Sequence, residues 1–363
     1  MINNPFTPSC LVSREAELKQ ISQILLQDGD FLLVGAPGTG RRTLLREAAQ
    51  ITNARMLEID CLRSTNANQF LQLLGHSITF QFSTPDEIGL LQSWSINHPV
   101  TLELAADGKA QITWHMPPGK EWPLFESLLM LPQFMSEQLD CRVVIVFQNF
   151  PHIRSWDRQG KWETHLRLEI QRHSRVSYAL VATVAEPWVY ASNLEVIHLL
   201  PLSNDAMQQW LVRAMATEGL QFNPEDGAIA LFLSHVQGHL GDAIALARRI
   251  WLDYKAYGYA DNIICVHHIH RSMLALIDDM AITFEALVML LPPSQVRVLE
   301  SLALDPTESP QSREYIKKHQ LSRGGGLQGA LNSLEQKGLI YGPKFGYQVA
   351  LPLFNFWLRQ RLL

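Results

Sequence analysis

Apolar positions recur at helical spacing over residues 12–27, where Leu18, Ile21, Ile24 and Leu25 form one stripe. A turn at Asp28-Gly29-Asp30 follows, and residues 31–34 are apolar throughout, as a buried strand requires. After a glycine-rich stretch the helical spacing returns over 43–51. MLEID (56–60) reads as a second strand, and 66–93 as helix with breaks. Two alternating runs around Asp107-Gly108 predict a hairpin within 100–116. A helix is predicted over 122–138. The β-branched run RVVIVF (142–147) suits a central parallel strand. A helix near 162–172 and strands at SYALVAT (177–183) and LEVIHL (194–199) complete the series. Strands alternating with helices predict an α/β fold, a parallel sheet with helices on both faces.

From residue 201 the pattern is helical only, over 205–218, 224–237 and 240–257. A last unit begins near Leu291-Pro292-Pro293. It reads helix (294–303), helix (312–319), helix (326–337), then a hairpin, LIYGPKFGYQVA, with Lys344 near its tip. That is a winged helix-turn-helix outline. Three domains are therefore expected: an α/β domain over 1–200 with a hairpin-bearing insertion at 77–121, a helical lid over 201–290, and a winged helix over 291–363.

The glycine-rich stretch is GAPGTGRRT (35–43). Its strand, loop, helix context is that of a phosphate-binding P-loop, G-x-x-x-x-G-K-S/T. In that loop backbone N–H groups wrap the phosphates, the lysine reaches the outer oxygens and the hydroxyl ligates Mg²⁺. Gly35 and Gly40 take the glycine positions, with Pro37, Gly38 and Thr39 between them. Arg41 replaces the lysine, Arg42 replaces the hydroxyl, and Thr43 follows. Moving the frame by one residue would put the required glycines on Ala36 and Arg41, so the original register holds. Arg41 keeps the charge in a wider, planar group. Arg42 cannot ligate a metal. The backbone cradle and the helix dipole need no particular side chain, so binding can outlast hydrolysis.

The strand at 142–147 normally ends in acidic residues that anchor Mg²⁺ and polarise water. Here Gln148 and Asn149 stand at both positions. Arg42, Gln148 and Asn149 all subtract from one function, holding the metal and activating water. Losses of this kind cost several kcal/mol each in a transition state.

The whole chain resembles the archaeal-type branch of the STAND/AAA+ P-loop ATPases. The resemblance is carried by VSREAEL (12–18), GAPGTG (35–40), VVIVFQNFPHI (143–153), LRLEIQRH (166–173), SYALVATVAE (177–186), QGHLGDAIALARRIW (237–251) and the C-terminal block over 291–359. It implies an ATP-dependent switch in which nucleotide meets a P-loop domain, a helical lid and a winged helix. Gly35, Gly38, Gly40, Arg41 and Thr43 then match the phosphate loop, Gln148 and Asn149 the acidic pair, and Thr183 the polar residue ending the sensor strand. The family's GxP turn in the lid, which packs on the base, is Gly238-His239-Leu240 here and lacks its proline.

The reading that follows is a hydrolysis-deficient P-loop regulator or scaffold. ATP or ADP is the candidate cofactor, and Mg²⁺ is not expected in the usual way. The alternatives are a slow but genuine ATP-hydrolysing switch and a DNA-binding regulator. A protein partner is expected, DNA is a candidate partner through the winged helix, and a homo-oligomer stays open.

Charge bears on the DNA alternative. The chain carries −5 overall, but residues 293–363 hold nine Lys/Arg against five Asp/Glu, a formal +4, which leaves −9 elsewhere. Lys317, Lys318 and Arg323 lie around the turn, Lys344 on the wing, and Gln328, Asn332 and Gln336 on the outward face of the second helix. Amides of that kind can read adenine edges.

Four dispersed cysteines without CxxC spacing read as buried free thiols in a reducing, cytoplasmic setting. The first ten residues lack a signal-peptide pattern, and no apolar run reaches the roughly 18 residues of a membrane span. Cys265-Val266-His267-His268-Ile269-His270 has no closed zinc spacing, so no metal site is expected. Adjacent histidines should diverge there, on a linker helix facing solvent.

Overall fold

The computed structural model describes residues 5–7, 11–104, 109–115, 117, 119, 121–170, 173–189, 192, 194–257 and 261–362. The chain forms two compact units. One comprises residues 14–34 and 41–198, the other 1–13, 35–40 and 199–363.

The first unit runs α1 (Glu15–Leu26), β1 (Phe31–Gly35), α2 (Arg41–Ile51), β2 (Ala54–Asp60), α3 (Ala67–Gln81), α4 (Pro85–Ser95), β3 (Thr101–Leu104), β4 (Ala110–Thr113), α5 (Trp122–Leu139), β5 (Arg142–Gln148), α6 (Lys161–Ile170), β6 (Val176–Ala182) and β7 (Glu195–Leu199). Its five-stranded parallel sheet has the order β2-β5-β6-β1-β7. β1 and β6 are buried at every position and β5 at all but Arg142. Strands covered on both faces need such unbroken apolar runs. The strand order reverses beside β1, the place where open α/β sheets carry their ligand crevice.

β3 and β4 pair antiparallel, Thr101 opposite Thr113 and Leu104 opposite Ala110. The predicted hairpin is present, although its turn at Asp107-Gly108 lies outside the described residues. Ile112 is buried against Gly75 of α3, where an added Cβ would stand 3.6 Å from the Ile112 Cβ. Thr84 and Glu87 form a reciprocal cap that starts α4, with Pro85 in its first turn.

The second unit continues with α7 (Asn204–Thr217), β8 (Gln221–Phe222), α8 (Ala228–Val236), α9 (Leu240–Tyr257), β9 (Ile263–Ile264), α10 (Val266–Met289), α11 (Pro293–Leu304), α12 (Arg313–Lys318), α13 (Gly325–Gln336), β10 (Ile340–Tyr341), β11 (Gln348–Val349) and α14 (Pro352–Leu362). One apolar core extends from Leu202 to Leu358. Phe284 of α10 meets Phe354 and Trp357 of α14, with ring centroids 5.3 and 5.7 Å away, so the lid helices and the winged-helix segment share that core.

Three local readings change. The helix expected over 224–237 starts only at Ala228, because Asp226 turns the chain. Its two carboxylate oxygens accept the N–H groups of Ala228 (2.9 Å) and Val266 (2.8 Å), capping α8 and α10 together. The short parallel pair β8–β9 has no sequence signal at two residues per strand. Residues 266–289 form one helix of 24 residues, and its His268 is buried rather than facing solvent.

Cys61, Cys141 and Cys265 are free thiols. Among the described residues Cys61 alone of these is buried and the other two are half-exposed, which corrects the expectation of uniformly buried thiols; Cys10 lies outside the described residues. Among the described residues, no helix is long and apolar enough to cross a membrane.

Candidate functional site

The glycine-rich loop leaves β1 at Gly35 and α2 begins at Arg41, two residues earlier than its periodicity indicates. Gly38 and Gly40 have φ of 84° and 90°, which glycine alone adopts without strain. Three consecutive loop carbonyls are engaged. Thr39 Oγ1 donates to Ala36 O at 2.8 Å, His239 Nε2 to Pro37 O at 2.7 Å, and the Gly241 N–H to Gly38 O at 3.0 Å. A carbonyl can only accept, so His239 carries its proton on Nε2. Neutral His239 then has a bare Nδ1, and the Asp242 N–H donates to it at 3.1 Å. When His239 is charged, the Nδ1–H faces Asp242 Oδ1 at 3.0 Å. Burial opposes that charge, but Asp242 and the Pro37 carbonyl outweigh it and hold the imidazole pKa above its ordinary value.

The side chains that replace the usual Mg²⁺ ligands lie in the first unit. Arg42 is on the first turn of α2. It grips Glu58 of β2 through both carboxylate oxygens, Nε to Oε1 at 2.5 Å and Nη2 to Oε2 at 2.8 Å. Arg46 Nη2 reaches the same carboxylate at 3.4 Å. The parallel register sets Glu58 opposite Val146 and Asp60 opposite Gln148. Gln148 Nε2 donates to Glu58 Oε1 at 3.3 Å, and Asn149 Nδ2 to Asp60 Oδ1 at 3.0 Å. Asp60 Oδ1 also caps Leu62 N at 3.2 Å. Asn149 takes a left-handed conformation, φ 53°, that asparagine tolerates well.

Carboxylates are therefore present at this edge, one strand over from where the motif places them. By sequence alone the amides of Gln148 and Asn149 read as a plain loss of charge. Glu58 and Asp60 carry no motif signal, although two acids spaced two apart at a strand's end share one face. Only the β2–β5 register tells which strand they stand beside. Glu58 is already taken by two guanidinium groups and an amide.

Arg41 folds toward β6, its Nη1 donating to Ala182 O at 3.4 Å, next to Thr183, which follows that strand. Thr43 is exposed on α2.

The winged-helix residues separate into two groups. Lys318 is held by Asp305 (2.7 Å), which His319 Nε2 also contacts at 3.0 Å. Lys317, Arg323 and Lys344 are exposed. On α13, Gln328 Nε2 donates to Asn332 Oδ1 at 2.6 Å, so two of the three amides bond each other.

Candidate ligand atoms of Cys265, His267 and His268 all lie within 4.8 Å of one another. The two rings stand 3.9 Å apart, so the adjacent histidines do not diverge. His268 Nδ1 accepts the Cys265 N–H at 3.1 Å and sits 2.8 Å from Tyr254 Oη, which makes it a cap for α10.

Comparison with known proteins gives two partial family matches. Residues 30–79 match an AAA domain (dynein-related subfamily), and residues 282–360 match a probable winged helix domain. Among solved structures, the chain is similar to a Walker-type ATPase of Pyrococcus abyssi at 16% identity and TM-score 0.67, over 98% of this chain and 99% of that one. It is also similar to the Aeropyrum pernix ORC1 protein, solved in complex with DNA, at 14% identity and TM-score 0.50, over 99% and 97% of the two chains. The Pyrobaculum aerophilum Cdc6p structure follows at 17% identity and TM-score 0.50, over 100% and 99%. No curated protein sequence matches the chain.

Proposed function

Starting from an AAA-type P-loop ATPase fold with a C-terminal winged helix, we propose that this protein is a nucleotide-holding regulator or scaffold that does not turn over at a useful rate. The observation that carries this reading is the two-oxygen grip of Arg42 on Glu58, beside the amides Gln148 and Asn149. A guanidinium stands where a hydroxyl would ligate Mg²⁺. The nearest carboxylate is consumed by Arg42, Arg46 and Gln148.

The donor set does not fit a divalent cation, because Glu58 is held by two guanidinium groups and an amide. The loop does fit a phosphate. Its glycines at 38 and 40 take the positive φ that the loop's turns require, and its carbonyls at 36–38 are bonded to other partners. A following helix start adds partial positive charge. In this reading Gly35, Pro37, Gly38, Thr39, Gly40 and Thr43 surround ATP or ADP. Arg41 and Arg42 supply fixed positive charge in place of metal.

Phosphate release under steady-state conditions tests the reading. Turnover indistinguishable from that of Gly40→Asp supports it. Turnover clearly above that variant would establish the slow-ATPase alternative instead. Equilibrium dialysis with radiolabelled ATP tests binding separately.

A second reading rests on the formal +4 of residues 293–363 and the exposed Lys317, Arg323 and Lys344. In it the winged helix contacts duplex DNA, with Lys318, Gln328 and Asn332 as further contacts. The Aeropyrum pernix protein of similar fold was solved with DNA. Electrophoretic mobility shifts across a salt series decide between DNA and a protein partner as the output, since phosphate contacts make affinity fall steeply with salt.

A further inference from the structure

Within the second unit, a chain of hydrogen bonds connects the phosphate loop to the last helix. His239 Nε2 donates to Pro37 O at 2.7 Å, and its Nδ1 lies against Asp242, 3.0 Å from Oδ1. The other Asp242 oxygen, Oδ2, accepts the Leu353 N–H at 2.9 Å, in the first turn of α14. Asp242 thus caps a helix more than one hundred residues away, where a carboxylate also meets the positive end of the dipole.

The surrounding backbone is built for close approach. An added Cβ on Gly38 would come within 2.6 Å of the His239 ring, and one on Gly241 within 3.3 Å of Gly38 Cα. Gly238 has φ 76°, and a Cβ there would sit 2.3 Å from Leu202 O. His239 is 4% exposed, its ring packed against Gly38.

We infer that Gly238–Asp242 is a coupling relay: His239 positions the phosphate loop, and Asp242 passes the state of that loop to the winged helix through the start of α14. His239 is a positioning residue, since it holds a loop carbonyl and orients the backbone around it. A change in loop conformation on filling or emptying moves the Pro37 carbonyl, hence the ring, hence the cap on α14. The nucleotide part of this inference rests on the phosphate-site reading above, whereas the hydrogen bonds of the relay do not depend on it.

Hydrogen exchange of the full chain, followed by mass spectrometry, tests it. Asp242 does not touch the loop carbonyls with its side chain. Asp242→Ala is therefore expected to speed exchange in peptides covering 36–40 and 350–356 together, about fivefold to tenfold, as loss of one buried hydrogen bond produces. Peptides covering 142–148 should keep the wild-type rate. His239→Ala should speed the same two regions, and His239→Gln, which keeps a donor, should recover the loop more than α14. Unchanged exchange at 36–40 in Asp242→Ala, or at 350–356 in His239→Ala, would overturn the relay. If His239→Ala loosens the entire second unit, the Asp242→Ala and His239→Gln results decide alone. Added ADP should slow both regions in the wild type and only the loop in His239→Ala. Absence of any ADP effect on 36–40 in the wild type would count against the nucleotide reading, while the comparison without ADP still decides the relay.

Discussion

Replacing Arg42 by threonine restores the hydroxyl that a P-loop uses for Mg²⁺ and frees Glu58 from its tightest partner. Its cost in stability is small. The Arg42 side chain is 62% exposed, so a bond of 2.5 Å to Glu58 is screened by solvent and contributes at most about 1 kcal/mol. In a domain of this size that corresponds to a melting shift of about 2–4 °C. The effect on nucleotide binding is larger in kind. The wild type should bind ATP equally well with Mg²⁺ or with EDTA, within about twofold, because its positive charge is covalently attached. On the proposed reading, Arg42→Thr loses one charge-assisted contact to phosphate, worth about 1.5–3 kcal/mol before screening. In EDTA, with that contact screened by solvent as the Glu58 pair is, its affinity should fall by up to about tenfold. Mg²⁺ should recover part of that loss, since Glu58 then keeps only Arg46 and Gln148. Titration of a fluorescent ATP analogue into both proteins, with and without chelator, measures all four affinities. A wild-type affinity that collapses tenfold or more in EDTA refutes the argument that a fixed guanidinium has replaced the metal.

Gly38→Ala combines a φ of 84° with a Cβ 2.6 Å from the His239 ring, so it should destabilise the second unit by about 1–3 kcal/mol in denaturant unfolding and abolish ATP binding. Asp30 has its carboxyl pKa pushed up to about 7 by burial, against the opposing hydrogen bond from the Tyr178 N–H. Its native pKa exceeds its unfolded one, so the native state binds more protons between pH 4 and 7 and stability falls across that window as pH rises. Asp30→Asn should flatten the dependence by ~2 kcal/mol in unfolding experiments at pH 5 and pH 8; an unchanged slope would place the titration elsewhere. If the winged helix binds DNA, Lys317→Ala with Lys344→Ala should lower the slope of log affinity against log salt by about 2, whatever the duplex sequence.

The sheet, the phosphate loop and the winged-helix outline were legible in the residues because each rests on local pattern. Apolar runs at 31–34 and 142–147, glycines at fixed offsets and helical spacing along 294–337 are properties of neighbours in sequence. The replaced residues Arg41, Arg42, Gln148 and Asn149 were legible for the same reason, since the motif fixes their positions. Their surroundings were not. Glu58 and Asp60 meet the amides of β5 only because β2 pairs with that strand in one register, and a shift of one residue would turn both acids to the other face. His239 read as a missing proline, whereas in the folded chain it clasps Pro37 across two hundred residues. Asp242 carries no motif signal in the sequence, and in the fold it caps α14. Periodicity and motifs report what a short stretch of backbone prefers. Which buried donors and acceptors finally pair is decided when distant segments pack, because each polar group taken out of water must find whatever partner the fold brings within about 3 Å.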